Sequence, residues 1–350
     1  IAELLMQQRL LKAVFFITTV LLFYSCGGIL ETSTIQISLN DKWQVTSEND
    51  SIQFITNIPN EVHSDLYKNR IMEHPFFGDN EKRTQWVAKK DWVYEKEFDV
   101  DSSFLLKENQ ELVFEGIDTY SEVSLNEKLI LQTDNQFRQW KVDVKSILKT
   151  ANNKLKIMVL SPFEIENQKA KEYGFQPPSD SRIFTRKAAY VYGWDWGPRI
   201  ITSGIWKRVK LIGWNGPRLK DVFIIQDSLT ERKAYLTAKF EINSTKPDEI
   251  TLFVYGNKQK LMTETGVQSI DVKLEIDYPD LWWPNGLGDQ KLYKIDCSLI
   301  HNDFGVQTIT KKIGLRTIEL IQEKDSYGKS FYFKVNDIPV FMKGANYIPQ

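Results

Sequence analysis

The segment Tyr192-Gly-Trp-Asp-Trp-Gly-Pro198 gathers side chains able to do chemistry more densely than any other stretch of this chain. Two indoles and a carboxylate can make a sugar site. An aromatic face covers the C–H side of a pyranose, and a carboxylate accepts from two neighbouring hydroxyls. In an extended segment Trp194 and Trp196 point one way and Asp195 the other. Gly193 and Gly197-Pro198 favour a stiff loop over a mid-sheet strand. The same residues suit a plainer arrangement, with both tryptophans in a sandwich core and Asp195 capping a turn, and taken alone they favour it. Other chemical signatures are missing: there is no phosphate-cradling Gly-rich loop, no His-Glu-x-x-His and no Gly-x-Ser-x-Gly. Three scattered histidines (His63, His74, His301) and two cysteines do not make a zinc site of the usual type. Neither a metal nor a redox cofactor is expected.

The elements that must position such a segment follow from composition and periodicity. The 350 residues carry 45 basic and 46 acidic side chains, a formal net charge of -1. That leaves no global basic field, so nucleic acid is not an expected partner. Hydrophobic content of 42% with 26% charge excludes a largely disordered chain, and the length suits two or three domains. Aromatic content is 13% and includes ten Trp, which suits β-rich cores and stacking surfaces.

From residue 35 onward short alternating segments recur between turn residues, at 93–100, 110–115, 121–125 and 154–160. Leu125-Asn-Glu-Lys-Leu129 joins two of them as a hairpin. A second series runs through 221–225, 233–242, 250–255, 267–276, 290–299 and 307–313. About seven strands over a hundred residues is the pattern of an immunoglobulin-like sandwich. Trp214-Asn-Gly-Pro217 is the seam between the two series. Helical periodicity is weak, with short turns expected at most over 59–72 and 163–173. Tyr293, Ile295, Cys297 and Leu299 share one strand face, so Cys297 is read as a buried structural thiol outside any disulfide. A last hairpin turns at Asn336-Asp337 and runs into Asn346-Tyr-Ile-Pro349, with nothing after it to pack against.

The first residues read as an address. Met6 is taken as initiator, followed by a basic Gln-Gln-Arg-Leu-Leu-Lys and the apolar, uncharged stretch 13–23. Eleven residues of helix reach about 16 Å, short of a hydrocarbon core of roughly 30 Å, and fit a secretory signal. Cys26 directly follows Ser25, with Leu22 four positions before it. That pattern resembles a bacterial lipobox, which implies cleavage before Cys26, lipid attachment there, and an exported periplasmic or outer-membrane-anchored lipoprotein. Residues 1–25 are then the signal and 26–37 a linker.

Several motifs occur in a telling order. Trp43 ends Leu-Asn-Asp-Lys-Trp, Trp92 opens Trp-Val-Tyr, and Phe114-Glu-Gly-Ile-Asp-Thr-Tyr120 precedes Val123-Ser-Leu-Asn126. Tyr192-Gly-Trp-Asp-Trp-Gly-Pro198, Gly204-Ile-Trp-Lys207, Leu281-Trp-Trp-Pro-Asn-Gly286, Gly314-Leu-Arg-Thr317 and Lys343-Gly-Ala-Asn-Tyr-Ile-Pro349 follow. From residue 38 to 350 the chain resembles the N-terminal half of family 2 glycoside hydrolases, and within them the β-mannosidases. The Gly-Trp-Asp-Trp-Gly-Pro segment is the part most specific to that branch.

The resemblance implies a mainly β chain. A jelly-roll (galactose-binding-like) sandwich over 38–216 comes first, then an immunoglobulin-like sandwich over 217–318, then the truncated start of a (β/α)₈ barrel over 319–350. It implies an exo-acting retaining β-mannosidase that hydrolyses terminal non-reducing β-D-mannose. Two glutamates, an acid/base and a nucleophile about 5–5.5 Å apart, do that chemistry. In the family both lie on later barrel strands. A barrel takes about 250 residues, and 32 follow Ile318 here. No glutamate of this chain is therefore assigned, and residues 27–350 alone are expected to be inactive.

By the same resemblance Asp195 bonds hydroxyls of the terminal mannose and Trp194 lines the pocket. Asn346 and Tyr347 form a second wall, or equally seal the bottom of the barrel. The family pattern has Trp where Tyr347 stands, which replaces an indole N–H with a phenol. Arg186 and Arg199 could hold Asp195 or be ordinary surface arginines, and Trp282-Trp283-Pro284 is read as interdomain packing. The alternatives are another family 2 activity (β-galactosidase, β-glucuronidase or exo-β-glucosaminidase) or a non-catalytic glycan-binding lipoprotein.

Overall fold

The computed structural model describes residues 34–47, 52–174 and 181–347. The signal segment and Cys26 lie outside the described residues. By its contacts the chain forms two compact units, one built on 34–215 and the other on 216–343.

The strands of the first unit are β1 (Ile35–Ser38), β2 (Trp43–Ser47), β3 (Gln53–Thr56), β4 (Trp92–Phe98) and β5 (Asn109–Phe114). They continue with β6 (Tyr120–Leu125), β7 (Lys128–Asp134), β8 (Trp140–Asp143), β9 (Asn153–Val159) and β10 (Val209–Trp214). All pair antiparallel, in a six-stranded sheet of order β3-β2-β4-β9-β6-β7 and a four-stranded sheet of order β1-β10-β5-β8. Alternation selects the inner faces. Trp43 and Val45 of β2, Leu155, Ile157 and Val159 of β9, and Leu112 and Phe114 of β5 are buried in one core. Two tryptophans settle there because each indole N–H reaches a carbonyl, Trp43 to Leu39 at 2.7 Å and Trp92 to Val87 at 3.0 Å. Lys96 also points inward, and its ammonium emerges on Asp41, which it holds below the usual carboxylate range.

Among the described residues, four helices decorate this sandwich: α1 (Val62–Lys68), α2 (Asn80–Thr84), α3 (Ser102–Leu105) and α4 (Pro162–Tyr173). The expectation of mere turns over 163–173 is corrected by α4, twelve residues long. Its boundaries are written in the sequence: Ser161 caps the N-terminus, Pro162 stands in the first turn, and Gly174 closes it at φ +73°. The helix escapes a periodicity search because its buried side is Pro162, Glu166 and Ala170, not an apolar stripe.

The second unit pairs a three-stranded sheet with a four-stranded one. The first is β11 (Arg218–Leu229), β12 (Lys233–Ser244) and β15 (Gly266–Asp277). The second is ordered β14 (Asn257–Met262), β13 (Glu249–Val254), β16 (Tyr293–His301) and β17 (Gly305–Ile313). Seven antiparallel strands close over one core, and Ile295, Cys297 and Leu299 sit side by side in it. A meander of β18 (Ile318–Ile321), β19 (Tyr332–Val335) and β20 (Ile338–Val340) follows. Its tight turn puts Asn336 and Asp337 at φ +49° and +66°, a left-handed conformation that those two residue types tolerate.

Candidate functional site

Residues 192–199 form a turn made from local signals. Tyr192 and Arg199 face each other as an antiparallel bridge. Gly193 sits at φ +94°, where a side chain is strained, and a Cβ there would lie 3.3 Å from the Arg199 Cβ. The Trp194 N–H donates to the Gly197 carbonyl at 3.1 Å, and the Gly197 N–H donates back at 3.2 Å. Asp195 and Trp196 therefore stand at the tip. The two indoles meet edge to face, with ring centroids 6.1 Å apart and planes at 64°. Trp194 is 50% exposed and Trp196 60%, so neither is core.

Three hollows adjoin the turn, and Trp194 lines all of them. One, a cavity of about 1180 Å³, is walled by Trp194, Trp196, Tyr67, Phe76 and Tyr190. Asp195 is not among its lining residues. Instead it faces two smaller hollows of about 380 and 500 Å³, both of which it shares with Glu81, and the larger also with Arg182 and Arg199. Trp194 lines both of these hollows as well, and Trp196 the smaller one, so the turn closed by the Trp194–Gly197 bonds does not part indoles and carboxylate onto opposite sides as an extended segment would.

The floor of the large cavity comes from the start of α1. Glu61 caps that helix, accepting from the backbone N–H of Ser64 at 2.6 Å and of His63 at 2.9 Å. Burial pushes its carboxyl up, but the bonds from His63 and Ser64 prevail and leave it below its ordinary value. Behind it, Asp65 is buried and accepts from Thr56 at 2.7 Å and from the Asn60 amide. The second Asp65 oxygen and the hydroxyl of Tyr94 are buried without a hydrogen-bond partner.

Arg199 is engaged with its own stem: its guanidinium donates to the Tyr192 carbonyl at 3.3 Å and lies over the Phe163 and Tyr192 rings. The Arg199 N–H donates to Glu81 at 2.5 Å, which ties the turn to α2. Glu81 is a site residue that sequence reading did not find, since it lies 114 positions before Asp195 in an unremarkable charged helix. Asn346 and Tyr347 lie in irregular chain after β20, both exposed, and line none of these hollows. Trp282 packs within the second unit. Its N–H donates to Leu315 at 2.8 Å, its carbonyl accepts from Asn336 at 3.1 Å, and Arg316 lies over its ring at 4.8 Å. The Trp-Trp-Pro-Asn-Gly and Gly-Leu-Arg-Thr motifs are therefore two faces of one contact.

Comparison with known proteins agrees with this architecture. Residues 43–207 match the galactose-binding domain-like family of glycosyl hydrolases 2, and residues 218–316 match glycosyl hydrolases family 2. The chain is 34% identical to β-mannosidase B of Aspergillus niger, over 83% of this chain and 36% of that one. It is 32% identical to the β-mannosidase of Bos taurus, over 94% of this chain and 40% of that one. The crystal structure of a β-D-mannosidase from Dictyoglomus thermophilum superposes with a TM-score of 0.84 at 38% identity, covering 90% of this chain and 40% of that one. The chain thus spans about two fifths of the length of these relatives. With consecutive sandwiches that each match a family 2 domain, and β-mannosidases among its relatives, the chain belongs to glycoside hydrolase family 2.

Proposed function

We propose that this chain is the N-terminal part of an exo-acting retaining β-mannosidase that hydrolyses terminal non-reducing β-D-mannose. The observation that carries the reading is the Trp194–Asp195–Trp196 turn, an exposed carboxylate between two half-exposed indoles on a stem fixed by Gly193 and the Tyr192–Arg199 bridge. In this reading Asp195 accepts from sugar hydroxyls and Trp194 covers the adjoining C–H face. Asn346 and Tyr347 contribute a second wall. The acid/base and nucleophile carboxylates come from the rest of the protein, in keeping with relatives more than twice as long as the matched stretch. Double displacement at such a carboxylate pair needs no redox cofactor.

The test is kinetic, on full-length protein with a panel of aryl β-glycosides. β-Mannoside is expected to be the best substrate. A hydrogen bond to a charged group is worth about 1.5–3 kcal/mol, so Asp195→Ala should lower kcat/KM by about 10–200-fold. Residues 27–350 alone should not turn over the same substrates. Wild-type kinetics in Asp195→Ala would return the turn to a purely structural role. Preference for a galactoside, glucuronide or glucosaminide would keep the family and replace the substrate.

A further inference from the structure

The turn that carries Trp194 and Asp195 hangs from a long connection. Between the end of α4 and the start of β10, the described part (181–208) contains only two short 3₁₀ turns and isolated bridges. Irregular stretches of that length are usually functional or loose. This one is held by two buried carboxylates.

Asp118, just before β6, holds the chain on both sides of the turn. It receives the ammonium of Lys187, whose Nζ also donates to the Thr202 carbonyl at 2.7 Å, while the Thr202 hydroxyl donates to Asp118 at 2.7 Å. Its backbone pairs with Gly204 in both directions, at 2.9 and 3.0 Å. Glu166, on the buried side of α4, holds the incoming arm and the stem. One of its oxygens accepts from the Thr185 hydroxyl at 2.6 Å and from the Tyr192 phenol. Glu166 is 2% exposed and Tyr192 5%. Burial and the Glu166 carboxylate push the Tyr192 phenol far above its usual value, so it stays a donor. Burial lowers the Lys187 ammonium, and Asp118 opposes that shift.

Charges placed this way are a poor means of stabilising a fold, because removing them from water offsets most of the attraction and apolar replacements often serve better. They do select one arrangement of the chain over its neighbours. Resting on the reading of Trp194 and Asp195 as sugar-facing, we infer that Glu166, acting through the hydroxyl of Tyr192, is a positioning residue that fixes where the Trp194–Asp195 turn stands. Tyr192 is one residue from the Gly193 hinge, and Glu166 reaches it from a helix that otherwise buries only Pro162 and Ala170.

The Trp194–Trp196 pair supplies a readout independent of any sugar. Two indoles at 6.1 Å and 64° couple their excited states and give a bisignate circular-dichroism band. That band is isolated as the difference between a protein and its Trp196→Phe counterpart, measured in the 350-residue chain. Tyr192→Phe keeps the ring and removes one hydroxyl. It is expected to lower the difference band by at least about twofold, as is Glu166→Ala, while Glu166→Gln, whose amide oxygen still accepts, retains most of it. An unchanged band in folded Tyr192→Phe overturns the inference, even if the urea midpoint has dropped, because that is what a merely structural bond would do. If Glu166→Ala does not fold, Tyr192→Phe and Glu166→Gln still decide. In full-length protein the same Tyr192→Phe change should raise KM for an aryl β-mannoside at least about threefold. A diminished band with unchanged KM would uphold the positioning role and remove the sugar-facing one.

Discussion

Asp65 gives a prediction whose size and sign both follow from the structure. The residue lies in the first turn of α1 with its side chain buried, and burial pushes its pKa up to about 6 from an ordinary 3.8. The Thr56 hydroxyl and Lys68 pull the other way, and Glu61 adds to the rise. Tyr94 also faces it, its phenol raised by burial and then by the Asp65 charge. A carboxyl raised in the folded state takes up a proton on folding between about pH 4 and 6. Its cost is absent below about pH 4, grows as pH rises through 6, and is constant above. A shift of about two units is worth about 3 kcal/mol. Asp65→Asn keeps an oxygen to accept from Thr56 and Asn60 and removes the charge. Relative to wild type, the variant should therefore gain about 3 kcal/mol between pH 3.5 and pH 8, whatever its offset at either end. Urea unfolding followed by indole fluorescence reads this directly, since eight of the ten tryptophans lie in the unit containing Asp65. Titrations common to both proteins cancel in the difference. A difference curve flat to within about 0.5 kcal/mol from pH 4 to 7 would refute the claim that burial, rather than hydrogen bonding, governs this group.

Two further outcomes concern the cysteines. Cys297 is fully buried and its thiol is pushed up to about 11 by burial. In a Cys26→Ala background a disulfide reagent at pH 8 should label no thiol in native protein and one after unfolding, and stoichiometric native labelling would contradict the strand register of β16. We also propose that Cys26 is acylated after export. Expressed with its leader in a bacterium, the chain should take up labelled palmitate and Cys26→Ala should not. Equal labelling of the two would remove the anchor.

Much of the fold was legible because alternation is a direct consequence of strand geometry. In β12, Ala234, Leu236, Ala238, Phe240 and Ile242 fall on one buried face, as their spacing of two requires. The turn at Trp194 was legible for a related reason, since Gly193 and Gly197-Pro198 specify a tight loop whatever surrounds it. Three things were not legible. α4 packs through Glu166 and Ala170, so its core face looks like surface. Glu81 meets the turn only because α2 is folded against Arg199. The Asp118–Lys187 pair joins residues 69 positions apart, each of a type usually found in water.

These failures share a physical cause. Apolar burial is non-directional and leaves a periodic trace, so a sequence advertises the sheets that it drives. Buried charges and phenols are directional and need one partner each, wherever the chain happens to bring it. Around the turn, Asp118, Glu166, Lys187 and Tyr192 replace alternation as the means of placement, and the result is irregular chain with a defined position. Sandwich sheets alone could not hold it there: a strand would alternate Trp194 and Asp195 across two faces of a sheet and leave one of them in the core. Presenting both to solvent at the tip of one stem requires leaving the ladder, and leaving the ladder requires other partners for the freed backbone and its neighbours. The buried polar cluster supplies them, which is why the segment with the clearest sequence signature rests on the residues with the faintest.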